Sequence, residues 1–437
     1  GYNIKVFNIV IFNKCNLSCE YCFAETYMAD TAPKYDSNMM DLSIYSNILE
    51  FLKASNVNYI SLLGGEPTLH PQFKQFVDLA RAQGIRPSIK TNALFIKSVD
   101  ELFGDIKPGA LHFLINLNTP ASMGEKKWLK TIDNLKALSK RGFNVDFQIN
   151  IDREKFQYDY LWEPLSWFKD ARLYWTFTVP IHNPKSHNMA IDPFSAKRKM
   201  IPRVMEMLSA CKEKDIKTFG THGITPCLFP KGFLEENQDN HRLGSNCVPV
   251  FDFYPDNSIH YCFPLEGHNS ISDFNQFNNL QEIQAHFLWK ASCARPYLFP
   301  WKECIGCNFA ANGTCHGGCM SNKPWLKDTF SKRYEDGFYL NFVPALTDKK
   351  ESIYPKFPNI GWDKQLKKDL FLMHPQIWKD FILLIDESKK LSTIKEELEN
   401  KYEKNLSQWI QVCVYNLIGS LDLVFLPESH ELMREHV

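Results

Sequence analysis

Nowhere in its 437 residues does the chain run apolar for long enough to cross a bilayer, and no signal-peptide pattern precedes the first apolar segment. A membrane-spanning protein is not expected, and a cytoplasmic location is. Net charge is missing too: 50 Lys and Arg balance 50 Asp and Glu. Without a broad basic field the chain has nothing to recruit nucleic acid or an acidic membrane, so neither is expected as a partner. Internal repeats and low-complexity tracts are also lacking. With 44% hydrophobic residues, what remains is a globular protein with ample core and, on length, about three domains.

Cysteine is not scarce. Thirteen are present, and they fall into CxxxCxxC and CxxC groups that read as metal ligands rather than as a disulfide frame. The first group, Cys15, Cys19 and Cys22, follows the apolar run Val6–Phe12, which reads as a buried strand. Three thiols on one short loop cannot all pair as disulfides, but they can grip one iron-sulfur cluster from a single side. Three ligands for four irons leave one iron open for chemistry. The alternatives are a zinc knuckle or three unrelated buried cysteines. A zinc site normally closes with a fourth Cys or His nearby, and this loop has none.

CxxxCxxC, with Tyr21 before the last Cys, resembles the cluster loop of the radical S-adenosylmethionine (SAM) superfamily. A second apolar strand, Tyr59–Leu63, runs into Gly64-Gly65-Glu66-Pro67, similar to that family's GGEP turn. The resemblance implies a 4Fe-4S cluster on Cys15, Cys19 and Cys22 whose open iron is chelated by SAM. It also implies that the GGEP backbone contacts the methionine amino group, since glycine lets a backbone approach a ligand closely. Reductive cleavage of SAM would then give a 5′-deoxyadenosyl radical, with a flavodoxin or ferredoxin as reducing partner.

Across residues 1–192, short apolar runs alternate with helical patterns, the signature of βαβ units. Strands are predicted at Val6–Phe12, Tyr59–Leu63, Pro87–Thr91, Ala110–Leu117, Asn144–Ile151 and Leu173–Val179. Helices are predicted at Leu42–Ala54, Pro71–Gln83 and Lys126–Lys140, with Gly84 and Gly142 as C-caps. The fold class is α/β, and the resemblance makes it a partial (β/α)6 radical SAM barrel. Functional groups of parallel barrels gather at the C-terminal ends of strands. Candidates for contact with SAM are Tyr21, Gly64, Gly65, Glu66, Pro67, Asn92 of a TNG-like turn, Asn116 and Gln148, with Asn118 and Asn150 beside them. Their amides either bind the ribose or carboxylate of SAM or cap loops, because buried polar groups need partners in either case. The insertion Glu25–Asp41 is a lid or a surface loop.

Residues 193–333 hold the next cysteines. Cys211 shares a helix face with Met200, Val204, Met207 and Leu208 and is read as core. Cys227, Cys247, Cys262, Cys293, Cys304, Cys307, Cys315 and Cys319 follow, a cluster-binding or zinc-ribbon pattern. Their order resembles the SPASM extension of peptide-modifying radical SAM enzymes, which implies one or two auxiliary 4Fe-4S clusters. By that resemblance Cys247, Cys262 and Cys319, with Cys227 as fourth, hold the first. Cys304, Cys307 and Cys315 hold the second; the family's last ligand is missing after Cys319, and either Cys293 fills its place or one iron stays open. Asn257 stands where the family has Gly, and Asn tolerates the positive φ that the turn requires.

Residues 334–437 read as strands Phe338–Val343, Leu370–Met373 and Leu423–Leu426, with helices Pro375–Ile385, Leu391–Tyr402 and Ser407–Ile418. Thr393 and Glu396 suggest a capping box, and Cys413 falls on the core stripe of the third helix. This winged-helix-like α+β pattern resembles PqqD-like recognition domains, which add a leader peptide to a sheet edge. Together the resemblances imply an oxidoreductase acting on a ribosomally made peptide with a leader segment, giving a crosslink, epimerisation or related oxidation. A sulfatase-maturing or small-molecule radical SAM dehydrogenase is the alternative enzyme. The former typically has an acidic base where Phe263 follows Cys262, although Glu266 is near. An electron-transfer or zinc-structured binding protein is the non-enzyme alternative. The sequence assigns no catalytic base or hydrogen donor.

Overall fold

The computed structural model describes residues 7–28, 39–179, 191, 199–248, 250–265, 270–294, 307–311, 314–315, 317–321, 340, 343–346, 349–353, 375–407, 409–410, 413–414, 417 and 423–426. They belong to two compact units, residues 1–284 with 308–322, and residues 285–307 with 323–437.

The first unit is built on one sheet. Strands β1 (Asn8–Phe12), β2 (Tyr59–Gly64), β3 (Arg86–Thr91), β4 (His112–Asn116), β5 (Asn144–Ile151) and β6 (Leu173–Phe177) lie side by side and parallel. Each was expected from its apolar run, within two residues at either end. All five residues of β1 are buried, as a strand covered on both faces requires. Helices α1 (Leu42–Ala54), α2 (Phe73–Ala82) and α3 (Glu125–Lys140) supply crossovers. Asp41 caps α1 by accepting the Ser43 N–H at 2.7 Å. Gly84 and Gly142 end α2 and α3 at φ of +79° and +75°. Phe103 sits at the centre of the helix–sheet core, meeting Phe73, Phe95, Phe113 and Phe143 edge to face.

The sheet does not stop there. Strands β7 (Thr218–Gly220) and β8 (His241–Leu243) extend it in parallel beyond β6. On the opposite flank β9 (Asp252–Phe253) pairs in parallel with β1, and β10 (Ile259–His260) and β11 (Ser270–Ile271) add antiparallel neighbours. None of these five was expected, because two or three residues are too short to show a period. Ahead of β7, α4 (Ile201–Glu213) buries Val204, Met207, Leu208 and Cys211, which places Cys211 in the core as expected. Asn257 turns β9 into β10 at φ +66°, the conformation anticipated for it. No described helix is long and apolar enough to cross a membrane.

In the second unit β12 (Val343–Leu346) pairs antiparallel with β13 (Leu423–Leu426). Helices α5 (Pro375–Leu384) and α6 (Leu391–Tyr402) pack with the described helical residues between 407 and 417. Trp378, Phe381, Ile394, Leu398, Trp409 and Cys413 are buried there. The expected capping box is corrected. The N-cap of α6 is Lys390, with no side-chain cap, and Thr393 lies inside the first turn. Leu391 is fully buried, so core packing starts the helix ahead of the polar signal. The expected strand Leu370–Met373 lies outside the described residues.

Candidate functional site

Beyond Phe12 the chain leaves β1 as the cysteine loop, and the turn after β2 is sewn onto it. Gly65 N–H donates to Phe12 O and Glu66 N–H to Lys14 O, each at 2.8 Å. A Cβ would lie 2.0 Å from Phe12 O if placed on Gly64 and 2.3 Å from Lys14 O if placed on Gly65. Only glycine lets the two loops approach so closely. The Glu66 side chain is buried and reaches the end of β3. It accepts from Thr68 Oγ1 at 2.6 Å, Thr68 N at 3.1 Å, Thr91 Oγ1 at 2.7 Å and Asn92 N at 2.9 Å. Burial pushes its carboxyl up, against the lowering effect of these bonds. The carboxylate is thus occupied by protein donors, and the contact with SAM expected of this turn is one of its backbone. Pro67, also buried, opens the short turn that follows.

Cys15, Cys19 and Cys22 are all partly buried on this loop. Burial raises the thiol of Cys15 to about 11 and that of Cys22 to about 12, with the neighbouring sulfurs adding to the rise. Burial likewise raises Cys19. Alone, the loop therefore presents neutral thiols, and a bound cationic centre would make them thiolates. Two amides already address the sulfurs: Asn92 Nδ2 lies 3.7 Å from Cys15 Sγ and Asn118 Nδ2 3.4 Å from Cys19 Sγ. Such N–H donors suit a sulfur carrying negative charge. Among the described residues no three His, Cys, Asp or Glu groups close around a single ion. A cluster spreads its ligands over several irons, and this donor set fits that wider demand.

The other strand-end candidates meet around the same loop. Asn92 donates to Asn16 Oδ1 at 2.8 Å, and Asn16 donates to Leu94 O at 2.7 Å. Tyr21 is hydrogen-bonded to Asn118 and Asn116. Gln148, half-buried, stands opposite Asn116 in the ladder. A cavity of about 620 Å³ opens beside Cys19, bordered by Tyr21, Asn118, Asn150, Asp152, Arg153 and Tyr160.

A further polar group was not singled out from the sequence. Lys90 Nζ donates to Asn8 Oδ1 at 2.7 Å, and Asn8 Nδ2 donates to Asp252 Oδ1 at 2.6 Å. The three residues link β3, β1 and β9. Burial lowers Lys90 to about 8, against the pull of Asp252. His222, at φ +59°, packs its ring 5.1 Å from that of Phe23. Burial, with the Lys90 charge, lowers it to about 4. The available signal was polar residues inside otherwise apolar strands.

Of the later cysteines, Cys247, Cys262 and Cys319 come together. Cys319 shares a hydrogen bond with Cys247, which raises its thiol along with burial and the nearby Cys262. Burial, then Cys247, raises Cys262. Gly223 backs the group so closely that a Cβ there would lie 2.5 Å from Cys319 N. Cys227 donates instead to Thr225 Oγ1 at 3.4 Å. Cys315 belongs to the first unit and Cys307 to the second. Cys304, the side chain of Cys293, Glu266 and most of the 25–41 insertion lie outside the described residues.

A parallel α/β sheet with a cysteine loop at the end of its first strand defines a class, and residues 9–157 match the family model described as the Radical SAM superfamily. The matched stretch runs from β1 through β5 and takes in the cysteine loop and the glycine turn. Over 89 residues, 20% of this chain and 29% of the relative, it is 38% identical to the S-adenosylmethionine-dependent nucleotide dehydratase of Thermoplasmatales archaeon (strain ISO4-H5). Over 82 residues, 19% of this chain and 21% of the relative, it is 30% identical to the mycofactocin maturase MftC of Mycobacterium ulcerans (strain Agy99). The matching stretch thus spans under a third of the length of these relatives. Streptococcus suis SuiB bound to precursor peptide SuiA shares the fold at TM-score 0.51 and 17% identity, covering 73% of this chain and 72% of that one. Native anSMEcpe with bound AdoMet does so at TM-score 0.54 and 14% identity, covering 76% and 97%.

Proposed function

We propose that the chain is a radical SAM oxidoreductase that matures a ribosomally made peptide, abstracting hydrogen to leave a crosslink, an epimerised centre or a related oxidation. The observation that carries this reading is the cysteine loop sewn to the Gly64-Gly65 turn at the C-terminal ends of parallel strands. Cys15, Cys19 and Cys22 would hold a 4Fe-4S cluster, with SAM bordered by the Gly64–Pro67 backbone, Tyr21, Asn92, Asn116 and Gln148. Cluster and SAM together, once an electron arrives from a flavodoxin or ferredoxin, supply a 5′-deoxyadenosyl radical. The protein's own part is placement and shielding. Glu66 fixes the turn, the amides hold the loop, and the sheet walls exclude water.

Residues 1–192 would be the barrel proper, and residues 193–333 would add an auxiliary cluster on Cys247, Cys262 and Cys319, with Cys227 as a fourth ligand. A second would rest on Cys304, Cys307, Cys315 and Cys293. Residues 334–437 would receive the leader peptide. Support for a peptide substrate comes from the fold shared with SuiB, a protein seen bound to a precursor peptide, and from the stretch similar to a maturase.

The test is anaerobic reconstitution followed by assay of 5′-deoxyadenosine. Replacing Cys15, Cys19 and Cys22 together with Ala should abolish it, and continued cleavage would overturn the cluster assignment. Incubating reduced enzyme with short peptides encoded beside its gene should give a product of altered mass or stereochemistry. If peptides stay unchanged while a small molecule is oxidised, the small-molecule dehydrogenase reading replaces this one.

A further inference from the structure

We propose that a one-way relay of hydrogen bonds, Asn150 to Asn116 to Tyr21 to Asn118, ends on the Cys19 sulfur and raises the reduction potential of the cluster held there. The inference rests on the iron-sulfur reading above.

Four contacts make the relay. Asn150 Nδ2 donates to Asn116 Oδ1 at 2.8 Å, and Asn116 Nδ2 donates to the Tyr21 hydroxyl at 3.2 Å. The Tyr21 hydroxyl donates to Asn118 Oδ1, and Asn118 Nδ2 lies 3.4 Å from Cys19 Sγ. The members come from the end of β4, from β5 and from the cysteine loop itself.

Chemistry fixes the direction. A metal-bound thiolate only accepts, so Asn118 must turn its NH2 to Cys19 and its carbonyl to Tyr21. Tyr21 then spends its one proton on Asn118 and can only accept from Asn116. Asn116 in turn must accept from Asn150. All donors point the same way, and bonds so aligned polarise one another.

Asn150 Oδ1 is buried and meets no hydrogen-bond donor among the described residues. A buried acceptor left unmade is destabilising. Flipping the amide would set that oxygen against Asn116 Oδ1, so the bond to Asn116 fixes Asn150 with its NH2 toward the relay.

One-electron reduction of the cluster adds negative charge to its ligand sulfurs without making or breaking a bond or moving a proton. An N–H aimed at Cys19 therefore stabilises the reduced form more than the oxidised one. Asn118 and the Tyr21 hydroxyl both lie against the ligand sulfur, and Asn116 and Asn150 are positioning residues acting through them.

The experiment is a potentiometric titration of the reconstituted full-length protein with dithionite, without SAM or peptide, followed by electron paramagnetic resonance. Iron and labile sulfide are measured in every sample. In Asn118→Leu the reduced-to-oxidised ratio at the wild-type midpoint should fall about tenfold, a shift of about 59 mV to lower potential for a one-electron couple. Tyr21→Phe and Asn150→Leu should shift it the same way by a smaller factor. If Asn118→Leu fails to assemble a cluster, Tyr21→Phe decides by the same measure. Ratios within twofold of wild type in loaded variants would overturn the relay and leave the cluster reading standing. A wild-type protein that takes up no iron and sulfide would overturn both.

Discussion

Glu66 Oε2 accepts the backbone N–H of Asn92 at 2.9 Å, and with this bond a buried carboxylate joins the turn after β2 to the end of β3. Thr68 and Thr91 bring their hydroxyls to the same group. The glycine turn and the Asn92 amide that addresses Cys15 are therefore set by one side chain.

Replacing Glu66 with Ala strands several buried donors and opens a cavity, so a loss of about 3 kcal/mol is expected. Glu66→Gln keeps an acceptor and should cost about 1 kcal/mol. Urea unfolding of the iron-free protein measures both. Equal midpoints for wild type and the Ala variant would show that Glu66 does not pin the turn.

Gly65→Ala tests the close approach. Its Cβ would lie 2.3 Å from Lys14 O, a backbone atom that cannot rotate away. The cysteine loop must then lift off the turn. Expected is a soluble protein with wild-type far-ultraviolet circular dichroism but little iron and sulfide after reconstitution. Full loading would show that the loop tolerates the separation.

A pH dependence follows from Asp146. Burial alone would raise this carboxyl, but hydrogen bonds with His112 Nε2 at 3.0 Å and Arg172 Nη2 at 2.6 Å outweigh it and hold it below the ordinary range. A carboxylate lowered in the folded state contributes stability that is complete above its unfolded pKa of about 3.9 and is lost as pH falls through the folded value. Wild-type stability should thus fall more steeply than that of Asp146→Asn once the pH drops below about 4. Parallel slopes in urea titrations at pH 5, 4 and 3 would contradict this.

The cysteines divide by surroundings. Cys413 is 1% exposed among core side chains, so Cys413→Ala should cost about 1 kcal/mol while iron content stays unchanged. Cys262→Ser, by contrast, should lower iron by about one cluster. Elemental analysis beside a thermal melt separates the two, and the reverse pattern would reassign both residues.

The sequence made β1 to β6 legible because each is a run of five to eight residues with crossover helices between. Strands β7 to β11 were not, since their pairing is supplied by neighbours rather than by their own composition. Thr393 misled because buried Leu391 governs where α6 starts. The three cysteines of the first loop could be read from spacing alone. The partners of Tyr21, Asn116 and Asn118 could not, for they depend on which strand ends meet. The Lys90–Asn8–Asp252 link was least accessible of all, because Asn8 and Asp252 stand 244 positions apart.

That separation governs how the chain is made as well as how it stands. β1 pairs with β2 on one side and with β9 on the other, Asn8 facing Ser61 and Asp252. During synthesis the first partner emerges soon after β1, whereas the second arrives roughly 10–50 seconds later at typical elongation rates of 5–20 residues per second. For that interval a strand apolar in all but Asn8 presents an open row of backbone donors and acceptors to any neighbouring nascent chain. Misassembly during production should therefore concentrate on this edge, and slowing initiation so that fewer nascent chains crowd together should raise the yield of folded protein more than slowing elongation does.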